Sequence, residues 1–283
     1  MSTQKEDRGA LVARLQSTVK RLRLDIVEMI AAAGSGHPGG SLSCIDVVTA
    51  IYLAKMRFDP KNPRWPDRDR FLMSKGHAAA AFYAILAECG FFPQKDLVTF
   101  RKIDSYLQGH VDYNHVRGSE MTGGSLGMGL SVAVGMGLAA RLDGAKWRIW
   151  VMLGDGECDE GEVWEAAMAA GHHRLTNICA IVDRNGYQQT RPTEQTIRLE
   201  PLADKWKAFG WDAVVIDGHD FNRILDALDQ AEKQTERPLA IIAKTVKGKG
   251  VSFMEGVADF HGRAPTKEEL EQARAELSGG AAR

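Results

Sequence analysis

The sequence predicts an α/β fold in which a parallel sheet is flanked by helices. The main observation is the stretch 149–188, IWVMLGDGECDEGEVWEAAMAAGHHRLTNICAIVDRNGYQ, which is typical of a strand, a glycine-rich turn, a helix and a second strand. Residues 149–153 and 178–182 are short apolar runs, and residues 162–172 carry small and apolar side chains at helical spacing. A strand–helix–strand unit of this kind has parallel strands and a right-handed crossover. Further apolar runs at 71–73, 213–216 and 239–245 are interpreted as additional strands.

The N-terminal third begins with a predicted amphipathic helix over 7–33, whose apolar side chains recur on one face. The segment 34–41, GSGHPGGS, is predicted to be a loop that brings its backbone close to a ligand, with His37 as a candidate functional residue. A plain connector between helices is the alternative, although it would not require so many small residues. The next helix is predicted over 46–54.

A second candidate histidine, His77, follows the predicted strand 71–73 in the segment Ser74-Lys75-Gly76-His77-Ala78. A strand-to-helix junction lets a side chain and helix amides face an anion together. A buried core histidine is the alternative interpretation. Helices are predicted over 78–90 and 91–105, after a Pro- and Arg-rich connector over 58–70.

A long loop is predicted over 108–129, beginning at Gln108-Gly109-His110 and ending in TGGSLGMG. Its closely spaced glycines, followed by a predicted helix over 130–140, indicate another place where backbone approaches a ligand. A nucleotide-binding loop is disfavoured, because neither G-x-G-x-x-G nor G-K-[ST] occurs there. Later in the chain the sequence predicts an irregular polar loop over 191–205, helices over 221–234 and 267–277, a glycine- and lysine-rich loop over 246–250, and a frayed tail over 278–283.

Asp155 and Asn185 each follow a strand of the central unit, so they meet at the carboxyl edge of the sheet, where ligands bind. A carboxylate and an amide oxygen are hard ligands of the kind that Mg²⁺ prefers, and the backbone carbonyl of Tyr187 could add a third. Gly154 and Gly156 allow close approach of a diphosphate, which the following helix N-terminus favours. In the alternative interpretation, Asp155 only caps a helix.

Composition excludes several classes of function. The chain has 283 residues and a formal net charge of −1, which gives no reason to expect nucleic-acid or membrane partners. Four separated cysteines without a C-x-x-C pair indicate reduced thiols, and the charged N-terminus lacks a signal region, so a cytoplasmic location is expected. Cys158, beside the glycine turn, is either reactive or, on the preferred interpretation, a bystander.

The GDG…N stretch, with its E-G-x-x-W-E-A and L-x-N-I segments, resembles the thiamine-diphosphate-binding motif of the transketolase family. Similar segments occur in the family's order from about residue 10 to about residue 265. These segments are SGHPG at 35–39, SKGHA at 74–78, GH at 109–110, GSLG at 124–127, DGHD at 217–220 and HG at 261–262.

The resemblance implies roles for individual residues. Asp155, Asn185 and the Tyr187 carbonyl are expected to bind Mg²⁺, for which Ca²⁺ or Mn²⁺ could substitute. Thiamine diphosphate is expected to be bound by a set of residues that contact its diphosphate or its ring region or lie beside them. The set comprises His77, Gly124, Ser125, Leu126, Gly154, Asp155, Gly156, Glu160, Asn185 and His261. Glu160 resembles a glutamate that reaches across a dimer interface. His37, His110 and His261 resemble the histidines that bind substrate hydroxyls and assist proton transfer, and neutral imidazoles near their ordinary pKa suit that role.

One departure from the family concerns length, since a full transketolase is more than twice as long and includes a second domain that binds the aminopyrimidine. We therefore expect residues 1–283 to be one diphosphate-binding domain, with a core over about 10–265 and a C-terminal helix and tail over 266–283. The chain would be the N-terminal subunit of a split transketolase, active only with a separate C-terminal subunit, in an α2β2 heterotetramer. It would move a two-carbon unit between sugar phosphates or related ketoses, as in the pentose phosphate pathway.

Two alternatives remain open at the level of sequence. One keeps thiamine diphosphate but changes the reaction, as in a deoxyxylulose-phosphate synthase or the E1 subunit of a 2-oxo acid dehydrogenase; the SGHPGGS and SKGHA segments favour transketolase over it. The other is a non-catalytic pseudo-subunit that binds a partner, against which the intact metal-ligand and histidine positions argue.

Overall fold

The computed structural model describes residues 7–189 and 191–278, and its centre is a five-stranded parallel sheet. The strands of this sheet are β1 (Arg70–Met73), β2 (Ile149–Gly154), β3 (Ile178–Arg184), β6 (Asp212–Asp217) and β7 (Leu239–Lys244), in the order β1-β2-β3-β7-β6. A separate antiparallel pair is formed by β4 (Tyr187–Gln188) and β5 (Arg191–Pro192). The predicted fold class, a parallel sheet flanked by helices, is confirmed.

Nine α-helices accompany these strands within the described part of the chain. They are α1 (Arg8–Ala33), α2 (Pro38–Ala54), α3 (Ala79–Glu88), α4 (Met128–Leu142), α5 (Gly161–His172), α6 (Thr193–Thr196), α7 (Leu202–Ala208), α8 (Phe221–Glu232) and α9 (Lys267–Leu277). Short 3₁₀ turns lie at Gly76–Ala78, Gln94–Thr99, Gly156–Asp159 and Ala258–His261.

β1, β2, β3 and β7 are almost wholly buried, whereas the edge strand β6 is half-buried to exposed. Successive side chains along a strand point to opposite sides of the sheet, so each buried strand contributes to both faces. On β2, Trp150 and Met152 join the apolar cluster that contains α1, α2, α3 and α8. Ile149, Val151 and Leu153 join the other cluster, which contains α4, α5 and α7. Burial on both faces explains why the strands appear in the sequence as continuous apolar runs rather than as alternating patterns.

The predicted strand–helix–strand unit is confirmed as β2, α5 and β3. β2 and β3 pair in parallel with Gly154 opposite Asp183. This register places Asp155 and Asn185 just beyond the same edge of the sheet. The helices predicted over 7–33, 78–90, 130–140, 221–234 and 267–277 match α1, α3, α4, α8 and α9 to within a few residues at their ends.

The helix predicted over 91–105 is wrong, since this segment holds only the 3₁₀ turn Gln94–Thr99. Its buried hydrophobic side chains are Phe91, Phe92, Leu97 and Phe100, whereas Val98 and Ile103 are exposed, so the segment buries no continuous helical face. The Tyr106 hydroxyl donates to Asp96 at 2.7 Å, and the Thr99 and Ser105 hydroxyls are 2.7 Å apart. Arg101 has φ +61°, which a continuous helix cannot accommodate.

Two other boundaries differ from the prediction. α2 begins at Pro38 rather than near residue 46, because proline suits the first turn of a helix, where its missing N–H is not needed. The predicted irregular loop over 191–205 contains β5, α6 and the start of α7. α7 has a short apolar contact face, where Leu202 and Trp206 are buried, so the polar composition of this region concealed a helix.

The described residues include no helix that is long and apolar enough to cross a membrane. All four cysteines are free thiols. Of the predicted tail, only Ser278 lies within the described residues.

Candidate functional site

A cavity of about 310 Å³ opens at the carboxyl edge of the sheet. It brings together nearly all of the residues predicted as functional from the sequence. Those that line it are His37, His77, His110, Gly124, Leu126, Gly154, Asp155, Gly156, Glu160, Asn185, Tyr187 and His261. Ser125 is exposed and is not among the lining residues, so a cofactor contact at this position stays a prediction.

Asp155 is buried at the end of β2 and its carboxylate is held by three donors. Oδ1 accepts a hydrogen bond from Gly156 N at 2.8 Å, and Oδ2 accepts from Gly186 N at 2.7 Å and from the Arg184 guanidinium at 3.1 Å. Burial raises the pKa of Asp155, and the nearby Asp183 carboxylate raises it further. Asp155 caps only the 3₁₀ turn Gly156–Asp159, whereas the residue that precedes α5 is Glu160. Capping of the crossover helix therefore does not explain a carboxylate at this position.

Asn185 is oriented by its neighbours. Its Nδ2 donates to Asp183 Oδ2 at 3.2 Å, and its Oδ1 accepts from Tyr187 N at 3.1 Å. This arrangement fixes which end of the amide is the oxygen, the atom that would ligate a hard cation. The described residues hold no cluster of three or more His, Cys, Asp or Glu side chains arranged for a metal. The predicted set is of a different kind, because it combines one carboxylate, one amide and one backbone carbonyl.

The carboxylate that orients Asn185 belongs to a fully buried ion pair that sequence reasoning missed. Asp183 and Lys75 are each 1% exposed, and their side chains are in direct contact. Lys75 Nζ also donates to Gly40 O at 2.9 Å, while Asp183 accepts from the Ser43 hydroxyl at 2.6 Å and from the Thr245 hydroxyl. The Lys75 ammonium and these hydroxyl donors outweigh burial and lower the pKa of Asp183. The signal was present in the sequence, since Lys75 lies in the quoted SKGHA segment and Asp183 stands two residues before Asn185.

Four histidines from four separate segments meet in the cavity. His37 precedes α2, His77 lies in the turn after β1, His110 lies in the long loop, and His261 lies in the turn Ala258–His261. The ring centroid of His37 is 5.3 Å from that of His77, 5.4 Å from His261 and 6.1 Å from His110. The His77 and His261 centroids are 5.2 Å apart.

Burial lowers the pKa of all four imidazoles, and neighbouring cations lower it further. The pKa falls to about 4 for His37 and for His261, and it falls well below its ordinary value for His77. The pKa of His110 is lowered too, by burial and then by Arg101. The sequence-based expectation of imidazoles near their ordinary pKa is therefore wrong. The site instead holds the histidines in the neutral form, in which one ring nitrogen donates and the other accepts.

A second lysine that the sequence did not single out, Lys247, lines the same cavity. Its Nζ lies 3.2 Å from His261 Nδ1, and within the described ranges no carboxylate forms an ion pair with it. Burial and then the charge of Lys75 lower its pKa to about 8. Gly39 makes room for its stem, because a Cβ at position 39 would be 2.9 Å from Lys247 Cγ. The glycine- and lysine-rich composition of residues 246–250 was the available signal.

The loop that carries Lys247 is anchored by the DGHD segment. His219 Nε2 accepts from Val246 N at 2.8 Å, and His219 Nδ1 is 3.0 Å from Asp46 Oδ2. Asp46 is also paired with Arg23 of α1. Because Val246 N–H can only donate, the proton of neutral His219 lies on Nδ1 and is donated to Asp46.

The loop 123–129 is fixed by Glu157, another buried residue that the sequence did not reveal. Its carboxylate accepts from Gly127 N at 2.9 Å, from Gly154 N at 2.8 Å and from the Ser74 hydroxyl. Gly76 lets this loop approach the turn after β1, since a Cβ there would lie 2.6 Å from Gly124 N. Glu160 is exposed at the rim of the cavity.

Cys158 is buried, and its thiol donates to Gly154 O at 3.4 Å. Burial raises the pKa of this thiol well above its ordinary value, which suppresses the reactive thiolate. The interpretation of Cys158 as a bystander is consistent with this environment.

Comparison with known proteins places these features in a family. Residues 14–281 match the family described as "Transketolase, thiamine diphosphate binding domain". The 6-deoxy-6-sulfo-D-fructose transketolase subunit SqwG of Clostridium sp. (strain MSTE9) is 45% identical, over 93% of this chain and 96% of its own length. One of the subunits of the apulose-4-phosphate transketolase of Phocaeicola vulgatus is 43% identical, over 93% of each chain. The solved transketolase of Campylobacter jejuni superposes with a TM-score of 0.89 at 33% identity, and the match covers 94% of this chain and 43% of that one.

Proposed function

The chain belongs to the transketolase family, and we propose that it is the N-terminal subunit of a split transketolase, a single diphosphate-binding domain with its core over about residues 10–265. The near-complete coverage of subunit-length relatives supports the division into subunits. The single observation that carries the assignment of the site is the cavity itself, where oxygen donors, four neutral histidines and the Lys247 ammonium meet.

We assign thiamine diphosphate and Mg²⁺ to this cavity because its residues fit them. Asp155, Asn185 Oδ1 and the Tyr187 carbonyl supply hard oxygen ligands, and Mg²⁺ completes its shell with phosphate and water oxygens. Gly156 lets Gln188 pack closely against this turn, since a Cβ there would lie 2.9 Å from Gln188 Cγ. The Lys247 ammonium supplies the opposite charge for a diphosphate.

The remaining residues of the set act on the cofactor's ring region and on the substrate. Gly124, Ser125 and Leu126 would border the ring region, with His77 and His261 near the diphosphate, and Glu160 would reach a second copy of the chain. When bound, thiamine diphosphate supplies the carbanion chemistry that ketol transfer requires. His37, His110 and His261 would bind substrate hydroxyls and accept or return their protons, which neutral imidazoles can do without a prior change of charge.

The substrates in this proposal are a ketose donor and an aldose acceptor. The relatives named above are described as acting with a sulfonated and a phosphorylated sugar, so both kinds of ketose belong in the assay. We further propose a separate C-terminal chain as the partner, an α2β2 assembly and a cytoplasmic location. A role in the pentose phosphate pathway stays a prediction.

The test is ketol transfer by this chain alone and by its mixture with the C-terminal chain encoded beside it. Thiamine diphosphate, Mg²⁺, xylulose 5-phosphate and ribose 5-phosphate are supplied, and 6-deoxy-6-sulfo-D-fructose and pyruvate are offered as alternative donors. Ketol transfer is expected only in the mixture and not with this chain alone. Asp155→Ala should abolish cofactor binding by the mixture. Decarboxylation of pyruvate without ketol transfer would replace the proposal with a decarboxylating synthase. Failure of the mixture to bind cofactor would favour the non-catalytic pseudo-subunit.

A further inference from the structure

Arg101 adjoins the histidine cluster in a backbone conformation that non-glycine residues rarely adopt. Its φ is +61°, in the left-handed region. Its N–H donates to Leu107 O at 2.8 Å and closes a turn, and its guanidinium contacts Ser35 and His37 in the segment between α1 and α2. Gly109 gives the guanidinium room, because a Cβ at position 109 would lie 2.8 Å from Arg101 Nε. Backbone outliers of this kind persist where the surrounding structure imposes them, often at functional sites.

The Arg101 guanidinium has few partners for a half-buried cation. Nη1 donates to the Ser35 hydroxyl at 3.1 Å, and Nη2 lies 3.5 Å from His37 Nδ1. Nε is buried and has no hydrogen-bond partner among the described residues. Within residues 7–189 and 191–278, no Asp or Glu forms an ion pair with it. A purely structural arginine would be expected to satisfy its donors with carboxylates or carbonyls.

We propose that Arg101 is a positioning residue for His37, which it holds as the neutral tautomer with the proton on Nε2. A guanidinium carries only donors, so the imidazole nitrogen that faces it must be unprotonated. The single proton of neutral His37 then lies on Nε2, available as a donor to a substrate oxygen, as the proposed transketolase function requires. The same charge disfavours protonation of His110.

The groups that face His37 are all cationic or are other imidazoles. The charges that lower its pKa come from Arg101, His110, Lys247 and Lys75, and the neighbouring rings are those of His77, His110 and His261. Arg101 has the largest effect of these charges, after burial, and it is also the charge that lowers the pKa of His110. No carboxylate is among these groups.

The direct test is imidazole nitrogen NMR on the full-length, ¹⁵N-labelled chain, which requires no catalytic activity. Wild-type His37 should show a neutral Nε2–H tautomer that resists protonation. Arg101→Met keeps the Cβ and most of the stem but removes the charge. It should mix the two tautomers and move the His37 titration upward by at least about half a pH unit, since a unit charge a few ångströms away in a partly screened site has at least that effect. Arg101→Lys restores the positive charge without the planar guanidinium and should return the His37 titration to its wild-type pH.

The matched control is Lys102→Met, which removes the same charge from the adjacent, exposed residue and should leave the titration unchanged. In the assembled complex, Arg101→Met should move the acid limb of the kcat/KM profile to higher pH, whereas Arg101→Lys should not. An unchanged His37 titration and tautomer in Arg101→Met, or an equal shift in Lys102→Met, would overturn the proposal. If Arg101→Met does not fold, a wild-type Nδ1–H tautomer would by itself overturn it. A chain that shows the NMR behaviour but no ketol transfer would leave the role of Arg101 intact and refute only the proposed function.

Discussion

Replacement of Asp183 by Asn tests whether the buried ion pair beneath the cavity holds the site together. Asp183 and Lys75 are each 1% exposed, and Asp183 also accepts hydrogen bonds from Ser43, Thr245 and Asn185. Asp183→Asn keeps the shape of the side chain but removes its charge, so the Lys75 ammonium stays buried without a carboxylate and has only Gly40 O and an amide oxygen as acceptors. Loss of one partner from a buried pair costs about 3–5 kcal/mol, and we expect a loss of that size in the free energy of unfolding.

The assay is urea unfolding of the isolated chain at pH 7. Asp204→Asn is the control, because it breaks an ion pair with Lys207 in which both side chains are more than half exposed. The control should cost less than about 1 kcal/mol. Lys75→Met should lower the free energy of unfolding less than Asp183→Asn does, since the Asp183 carboxylate would still accept hydrogen bonds from three neutral donors. The double variant should be more stable than the sum of the two changes predicts, by about 1–3 kcal/mol. Additive effects, or a cost for Asp183→Asn no larger than that of the control, would refute this reasoning.

The pH dependence of Asp183→Asn gives an independent check. The Lys75 charge and the hydroxyl donors lower the pKa of Asp183 in the folded chain. A carboxyl group with a lowered folded pKa stabilises the protein above its unfolded pKa of about 3.9, and this contribution is lost as the pH falls through the folded pKa. The stability difference between wild type and Asp183→Asn should therefore be complete at neutral pH and should shrink in acid. Mg²⁺-dependent binding of thiamine diphosphate by the assembled complex should weaken by about 10–100-fold, because Asn185 loses the carboxylate that orients its amide.

Three further predictions concern the cavity wall. Gly76→Ala places a Cβ 2.6 Å from Gly124 N and should lower stability by about 1–3 kcal/mol in thermal unfolding, whereas Gly161→Ala, where nothing lies within 4 Å, should be nearly neutral. His110→Ala should reduce kcat more than it reduces cofactor affinity. The reverse pattern would contradict the proposal that His110 contacts the substrate. The pKa of Lys247 is lowered to about 8, so cofactor affinity should fall as the pH rises above about 8 and the ammonium loses its charge. In Lys247→Met the affinity should be lower at neutral pH and should not change over this pH range. Titration calorimetry measures both affinities.

The sequence predicted the sheet well because four of its five strands are buried on both faces and appear as short apolar runs. It also placed Asp155 and Asn185 at one edge, since the carboxyl ends of parallel strands emerge together. The segment 91–105 was mispredicted because the chain turns at a left-handed Arg101 and buries only some of its apolar side chains, which local periodicity does not encode.

The buried charges of the site were missed for a different reason. Lys75, Asp183, Glu157 and Lys247 lie in or beside segments that the sequence had marked. A charged residue in a sequence is expected to be exposed, and only the fold shows which ones are desolvated and paired. The prediction that the histidines keep their ordinary pKa was wrong for the same reason. Their burial and their neighbouring cations both depend on the tertiary structure.

The arrangement of charge explains how one cavity can favour an anionic ligand and still keep its histidines neutral. Asp155 is paired with Arg184, and Asp183 is paired with Lys75, so the charges of these two buried carboxylates are already compensated. Lys247, which pairs with no carboxylate among the described residues, keeps its charge inside the cavity, where it can meet a diphosphate. The same cations lower the pKa of the imidazoles, and a bound anion would act in the opposite direction and raise it. The histidines should therefore come closer to their ordinary pKa, and become better proton acceptors, when the anionic ligand is in place.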